Sequence, residues 1–136
     1  MDIQIRKFEV NFVIDVSGEV DMYNAHRLKE VVHGLLEKHV GVFILNLKKV
    51  TYIDSSGIGA LLSINATLSQ GGMAFRIVNV ARPVMRVIEL TRLVGFLPIE
   101  STELEAIESI AQKRRPRTRM RERENMKTEG EKGGMV

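Results

Sequence analysis

Apolar and polar residues alternate from the first residues of the chain. Ile3 and Ile5, then Phe8, Val10, Phe12, Ile14 and Val16, follow a two-residue period, which predicts one or two antiparallel strands. Glu9-Val10-Asn11 is the natural turn between them. The period then lengthens. Asn24 reads as an N-cap, and Ala25, Leu28, Val31, Val32, Leu35, Leu36 and His39 fall on one helical stripe that Gly41 is expected to end. Val42-Phe43-Ile44-Leu45-Asn46-Leu47 is a short, nearly unbroken apolar run, the pattern of a strand covered on both faces. Helical spacing returns at Ile58, Leu61, Leu62, Asn65 and Leu68 and stops at Gly71-Gly72. Phe75 to Val80 is a further strand. Pro83 opens a third helix, with Val84, Val87, Ile88 and Thr91 inward. A short strand is expected around Phe96–Ile99. Thr102 with Glu105 forms a capping box for a last helix carrying Leu104, Ile107, Ile110 and Ala111.

Strands that alternate with helices predict right-handed crossovers and parallel pairing. The expected fold is therefore α/β: a mixed, mostly parallel sheet of four to five strands, layered with about four helices, and an antiparallel N-terminal edge. Composition divides the chain differently from length alone. The 136 residues carry 20 Lys+Arg and 17 Asp+Glu, a net +3. Residues 113–136 hold nine of the basic residues and four of the acidic ones, a net +5. Residues 1–112 keep eleven basic and thirteen acidic residues, a net −2. From Lys113 onward there is no Leu, Ile or Phe, so the segment lacks the apolar surface that would offset its ordering entropy. The expectation is one domain over residues 1–112 and a basic, disordered tail over 113–136.

Several function classes fall away. The chain has no cysteine, which excludes disulfides, thiolate metal sites and thiol nucleophiles and is compatible with a reducing cytoplasm. No stretch approaches the roughly 18 apolar residues of a membrane helix, and the N-terminus does not read as a secretory signal. Glu19 and Asp21 read as loop acids rather than an acid–base pair. His26, His33 and His39 lack the spacing and the carboxylate partner of a metal site, so they read as solvated. Ser55 and Ser56 are not in a nucleophile elbow. No phosphate-cradling glycine motif is present. Arg76, Arg82, Arg86 and Arg92 read as surface residues, with Arg82 and Arg86 also able to meet an acidic partner. The tail has no aromatic residue to stack on bases and no amphipathic pattern; contact with nucleic acid or an anionic membrane would be electrostatic and salt-sensitive.

One junction stands out. Val50 to Ala60 runs from a buried strand through Asp54-Ser55-Ser56-Gly57-Ile58-Gly59 into a helix. Two adjacent hydroxyls there lie at a helix N-terminus, where free N–H groups and the dipole favour a negative group such as phosphate. Asp and Ser are also the best N-cap residues, and on physics alone ordinary capping accounts for them.

Three blocks change that weighing: Val16-Ser17-Gly18-Glu19-Val20-Asp21; Ile44-Leu45-Asn46-Leu47 through Val50 to Asp54-Ser55-Ser56-Gly57; and Arg82-Pro83-Val84 through Glu89-Leu90-Thr91. In this order and spacing they resemble the STAS domain of bacterial anti-sigma factor antagonists over about residues 3–112. The resemblance implies a cytoplasmic, non-enzymatic binding protein without a cofactor. Its implied partner is an anti-sigma factor that is also a serine kinase. Binding would release the sigma factor, phosphorylation of Ser55 would switch the binding off, and a serine phosphatase would reverse the mark. Asp54 would orient that serine. Gly18, Asp21, Ser56, Gly57, Ile58 and Gly59 would lie on or under the partner surface. The family also includes scaffolds of stress-signalling complexes and partner domains of membrane transporters, an alternative left open by the basic tail. The resemblance raises weak nucleotide binding as a possibility, without independent support in these residues.

Overall fold

The alternation in the first twenty residues becomes a tight antiparallel pair. A computed structural model describes residues 1–114, and the tail expected to be disordered lies, beyond Arg114, outside the described residues. β1 (Asp2–Phe8) and β2 (Asn11–Val20) pair antiparallel. Glu9 turns the chain in the left-handed region, at φ 56°. Then come α1 (Ala25–Lys38), β3 (Val42–Ile53), α2 (Ser55–Gln70), β4 (Ala74–Val78), α3 (Arg82–Leu90), a 3₁₀ turn (Val94–Phe96), β5 (Ile99–Glu100) and α4 (Glu103–Arg114). The sheet order is β1-β2-β3-β4-β5, parallel throughout except for the first pair. The mixed sheet and four helices match the expected architecture.

The side-chain period sorts the sheet into two faces. Phe12, Ile14 and Val16 of β2, Phe43, Leu45 and Leu47 of β3, and Phe75 and Ile77 of β4 form one apolar layer. Leu28 and Val32 of α1, Ile58, Leu61, Ile64 and Leu68 of α2, and Val84 and Ile88 of α3 pack with it. Val13, Ile44 and Val78, at the intervening positions, are also buried, which explains why β3 begins as an unbroken apolar run.

Several local expectations give way to packing. Gly41 does not end α1, because the helix stops at Lys38 and His39 is already extended. Gly41 is required by the neighbouring hairpin turn: a Cβ there would lie 2.3 Å from the Val10 carbonyl oxygen, which accepts the Val42 N–H at 2.9 Å. β3 runs six residues past Leu47, through the exposed Lys48 and Lys49, while register shifts in β2 keep the two strands paired. The last strand is only Ile99–Glu100, because Val94–Phe96 coil into a 3₁₀ turn that leaves Phe96 exposed. Thr91 is exposed, and its hydroxyl donates to the Ile88 carbonyl. Leu104 faces solvent and Ala106 is buried instead. The Thr102 hydroxyl does cap α4, accepting the Glu105 N–H at 3.1 Å.

The second face of the sheet carries a polar ladder. Arg6 donates to both carboxylate oxygens of Asp15 and also to Glu103, at 2.8 Å for the nearer contact. Asn46 donates to Asp15 at 2.8 Å, and Asn79 donates to Asn46 at 3.0 Å. The Arg6 hydrogen bonds hold the Asp15 carboxyl below its ordinary value, against the opposing effect of burial. A carboxyl lowered by folding stabilises the fold above its unfolded pKa, about 4, and loses that contribution as pH falls through the lower folded value. Replacing Arg6 with Met is therefore expected to cost about 1 kcal/mol at pH 7, modest because the guanidinium is half exposed. In urea titrations the gap between variant and parent should close as the pH is lowered below about 4.

Candidate functional site

β2 and β3 stay paired to their last residues, Val20 and Ile53, so the loop that leads into α1 and the start of α2 lie side by side at the carboxyl ends of these two strands. Ile53 is buried and Asp54 is extended, at φ −111° and ψ −174°. The helix begins at Ser55. One Asp54 carboxylate oxygen accepts the Gly57 N–H at 3.0 Å, the bond of an N-cap residue. The other accepts the Met22 N–H at 3.0 Å, from the loop that leaves β2. The Asp54 N–H donates to the Val20 carbonyl at 3.2 Å. One residue thus caps its own helix and ties down the neighbouring loop.

The loop has its own bracing. Asp21 accepts the Tyr23 N–H on its side chain at 2.9 Å. Asn24, expected to cap α1, makes no cap bond to that helix. Its side-chain oxygen accepts the Asp21 N–H, and its amide donates to the Glu19 carbonyl, both at 2.9 Å. The Asp21 carbonyl receives the Ala25 N–H at 2.9 Å and so serves the start of α1. Asn24 shapes the loop because its amide can donate and accept at once, which an ionised Asp could not do.

The expected site residues fall into two sets. Ser55, Ser56 and Gly59 are exposed, with Asp54 and Asp21 half-buried beside them. Neither serine hydroxyl is hydrogen-bonded to another described residue. Gly57 and Ile58 are buried beneath this surface. A Cβ on Gly57 would lie 2.5 Å from Ile53 Cγ1 and 3.0 Å from the Val20 carbonyl oxygen, whereas one on Gly59 would meet nothing within 4 Å. Gly57 is therefore small so that the helix can seat against β2 and β3, and Gly59 leaves open space at the surface. Gly18 stands apart from the loop: it is inside β2, at φ 91°, paired with Val50.

The helix itself brings no charge to this end, and the carboxylates of Asp54 and Asp21 lie beside it. No Asp, Glu, Lys or Arg lies within the sixteen residues of α2, so a group on Ser55 would meet the first-turn amides and the helix dipole. Sequence reasoning passed over three residues here. Met22 and Tyr23 on the loop are 63 % and 80 % exposed, and Tyr52, paired with Glu19, is 49 % exposed. The available signal was two large apolar side chains in the short loop between strand and helix, off both apolar stripes. His26 and His33 are exposed, while the His39 ring packs on Phe12 with centroids 4.6 Å apart. No three His, Cys, Asp or Glu side chains cluster as metal ligands among the described residues, and none of their helices is long and apolar enough to cross a membrane.

The two glycines give a direct check on this geometry. Gly57→Ala is expected to destabilise by about 1–3 kcal/mol through overpacking. Gly59→Ala should be neutral or stabilising by up to about 1 kcal/mol, since it removes backbone freedom from a helix at no steric cost. Chemical denaturation of both variants measures the difference.

Known proteins are similar to this chain in sequence and in fold. The family model of the STAS domain matches residues 2–106. An anti-sigma-B factor antagonist of Staphylococcus aureus is 30 % identical over 95 residues, covering 69 % of this chain and 88 % of that protein. The crystal structure of a putative anti-sigma factor antagonist from Thermotoga maritima superposes with a TM-score of 0.72 at 27 % identity, covering 80 % of this chain and 94 % of the other. The Bacillus cell-fate determinant SpoIIAA in its phosphorylated form shares the fold at a TM-score of 0.60 and 22 % identity, covering 80 % of this chain and 99 % of the other. The chain belongs to the STAS domain family.

Proposed function

We propose that this protein is an anti-sigma factor antagonist. It binds an anti-sigma factor that is also a serine kinase, thereby releasing the sigma factor, and phosphorylation of Ser55 switches the binding off. A serine phosphatase restores the active form. The observation that carries the reading is Ser55 itself: an exposed hydroxyl, directly after the N-cap Asp54, on the first residue of an uncharged helix. The relatives named as anti-sigma factor antagonists, and the phosphorylated form known for one structural neighbour, agree with it.

The physics of the switch follows from the placement. Phosphorylation adds roughly −1.5 to −2 charge at neutral pH. In the free protein that charge is solvated and faces the positive end of α2, so the fold tolerates it. In a packed interface the same group is bulky and must shed water beside the carboxylates of Asp54 and Asp21. A few kcal/mol there shifts affinity about a hundredfold. The antagonist itself breaks no bond. The −2 charge of residues 1–112 also disfavours nucleic acid as a partner of the folded part.

Titration calorimetry with the anti-sigma factor kinase tests the proposal. Ser55→Ala should bind as tightly as the parent and resist modification. Ser55→Asp should bind at least tenfold more weakly. Equal affinities for the parent, Ser55→Ala and Ser55→Asp would overturn the charge switch.

A further inference from the structure

We infer that Met22 and Tyr23 are the apolar anchor of the partner contact, seated in a concave apolar pocket of the anti-sigma factor kinase. The inference rests on the proposed function and names the part of the surface that carries its affinity.

Large apolar side chains on a loop usually either fold back onto the domain or move with a loose backbone. These do neither. Tyr23 is 80 % exposed and Met22 63 %, yet the backbone beneath them is tied at every residue. The Asp21 N–H goes to Asn24, the Met22 N–H to Asp54 and the Tyr23 N–H to Asp21. The Asn24 N–H goes to the Asp21 carbonyl at 3.2 Å. The loop is held in one conformation with its apolar groups presented to solvent. A partner that accepts them meets little further ordering cost in the backbone, which is how preorganisation raises affinity. Tyrosine is among the side chains most often found at the energetic centre of interfaces. Methionine adapts its shape to a pocket.

The position of the loop selects the occupant. The Asp54 carboxylate that holds Met22 also caps the helix of Ser55, so the anchor and the serine are fixed to one group. A surface that covers Tyr23 and Met22 therefore borders Ser55. Another exposed apolar set, Phe8, Val10 and Val40, lies at the hairpin turn and the entry to β3, the opposite ends of the parallel strands. It cannot share an interface with the serine in the same way.

The test titrates the anti-sigma factor kinase with the parent protein and with Tyr23→Ala, Tyr23→Phe, Met22→Ala and Ser55→Asp, and records thermal melting of each. Tyr23→Ala should lose about 30-fold in affinity, the scale of an interface hot spot. Met22→Ala should lose several-fold, and Tyr23→Phe should bind within about threefold of the parent. The Tyr23 and Met22 variants should melt at the temperature of the parent, because these side chains are largely free of the domain. If the parent binds, Ser55→Asp does not and Tyr23→Ala binds like the parent, the anchor is refuted and the switch survives. A loss with Tyr23→Phe equal to that with Tyr23→Ala would make the contact polar and overturn the apolar anchor. A lower melting temperature for Tyr23→Ala would show the ring packed in the domain and overturn it also. If the parent does not bind, the proposed function fails and the anchor with it.

Discussion

The carboxylate of Asp54 joins the start of one helix to a loop that lies 32 residues earlier in the chain. One oxygen completes the start of α2 through the Gly57 N–H, and the other closes the loop after β2 through the Met22 N–H. An N-cap alone is worth about 1 kcal/mol, a large fraction of what a small domain has to spare. The second bond turns a local cap into a clamp between elements. It needs a side chain with two acceptor oxygens and no donor, which is the inventory of an ionised Asp at this reach. A serine at this position could accept one bond but not span both groups.

The clamp works because the rest of the edge is shaped to receive it. Gly57 lets α2 sit against Ile53 and the Val20 carbonyl, where a Cβ would collide. Ile58 and Leu61 then enter the apolar layer with Phe43 and Leu45. On the far side of the sheet, Arg6, Asp15, Asn46 and Asn79 link four consecutive segments by side-chain hydrogen bonds. The surface proposed to face the partner is thus built on paired strands, and the exposed serines lie on the first turn of a helix whose base is buried. A modification there changes the surface charge with little demand on the core, as a binding switch requires.

Periodicity was enough to read the sheet, the four helices and the antiparallel edge, because each strand and helix buries a face whose spacing is written in the apolar positions. What the sequence obscured was set by contacts between distant segments. Gly41 resembles a helix stop, but its cause is the Val10 carbonyl passing 2.3 Å from where a Cβ would be. Asn24 resembles a cap, yet its amide is spent on Asp21 and Glu19. The extension of β3 through two lysines depends on bulges in its neighbour. The serine pair was legible as a helix start, and the resemblance made it a candidate site. The clamp from Asp54 to Met22 was not legible, because a hydrogen bond across 32 residues leaves no local spacing. Nor was the exposure of Tyr23, since an apolar residue in a loop has no period to break.

The central claim is that Ser55 is the switch. Its most direct test is to incubate the full chain with the anti-sigma factor kinase and ATP, then locate the added phosphate by mass spectrometry of peptides that separate Ser55 from Ser56. The account predicts one phosphate, on Ser55. Modification at Ser56 or elsewhere, or a chain left unmodified by a kinase that binds it, would contradict it.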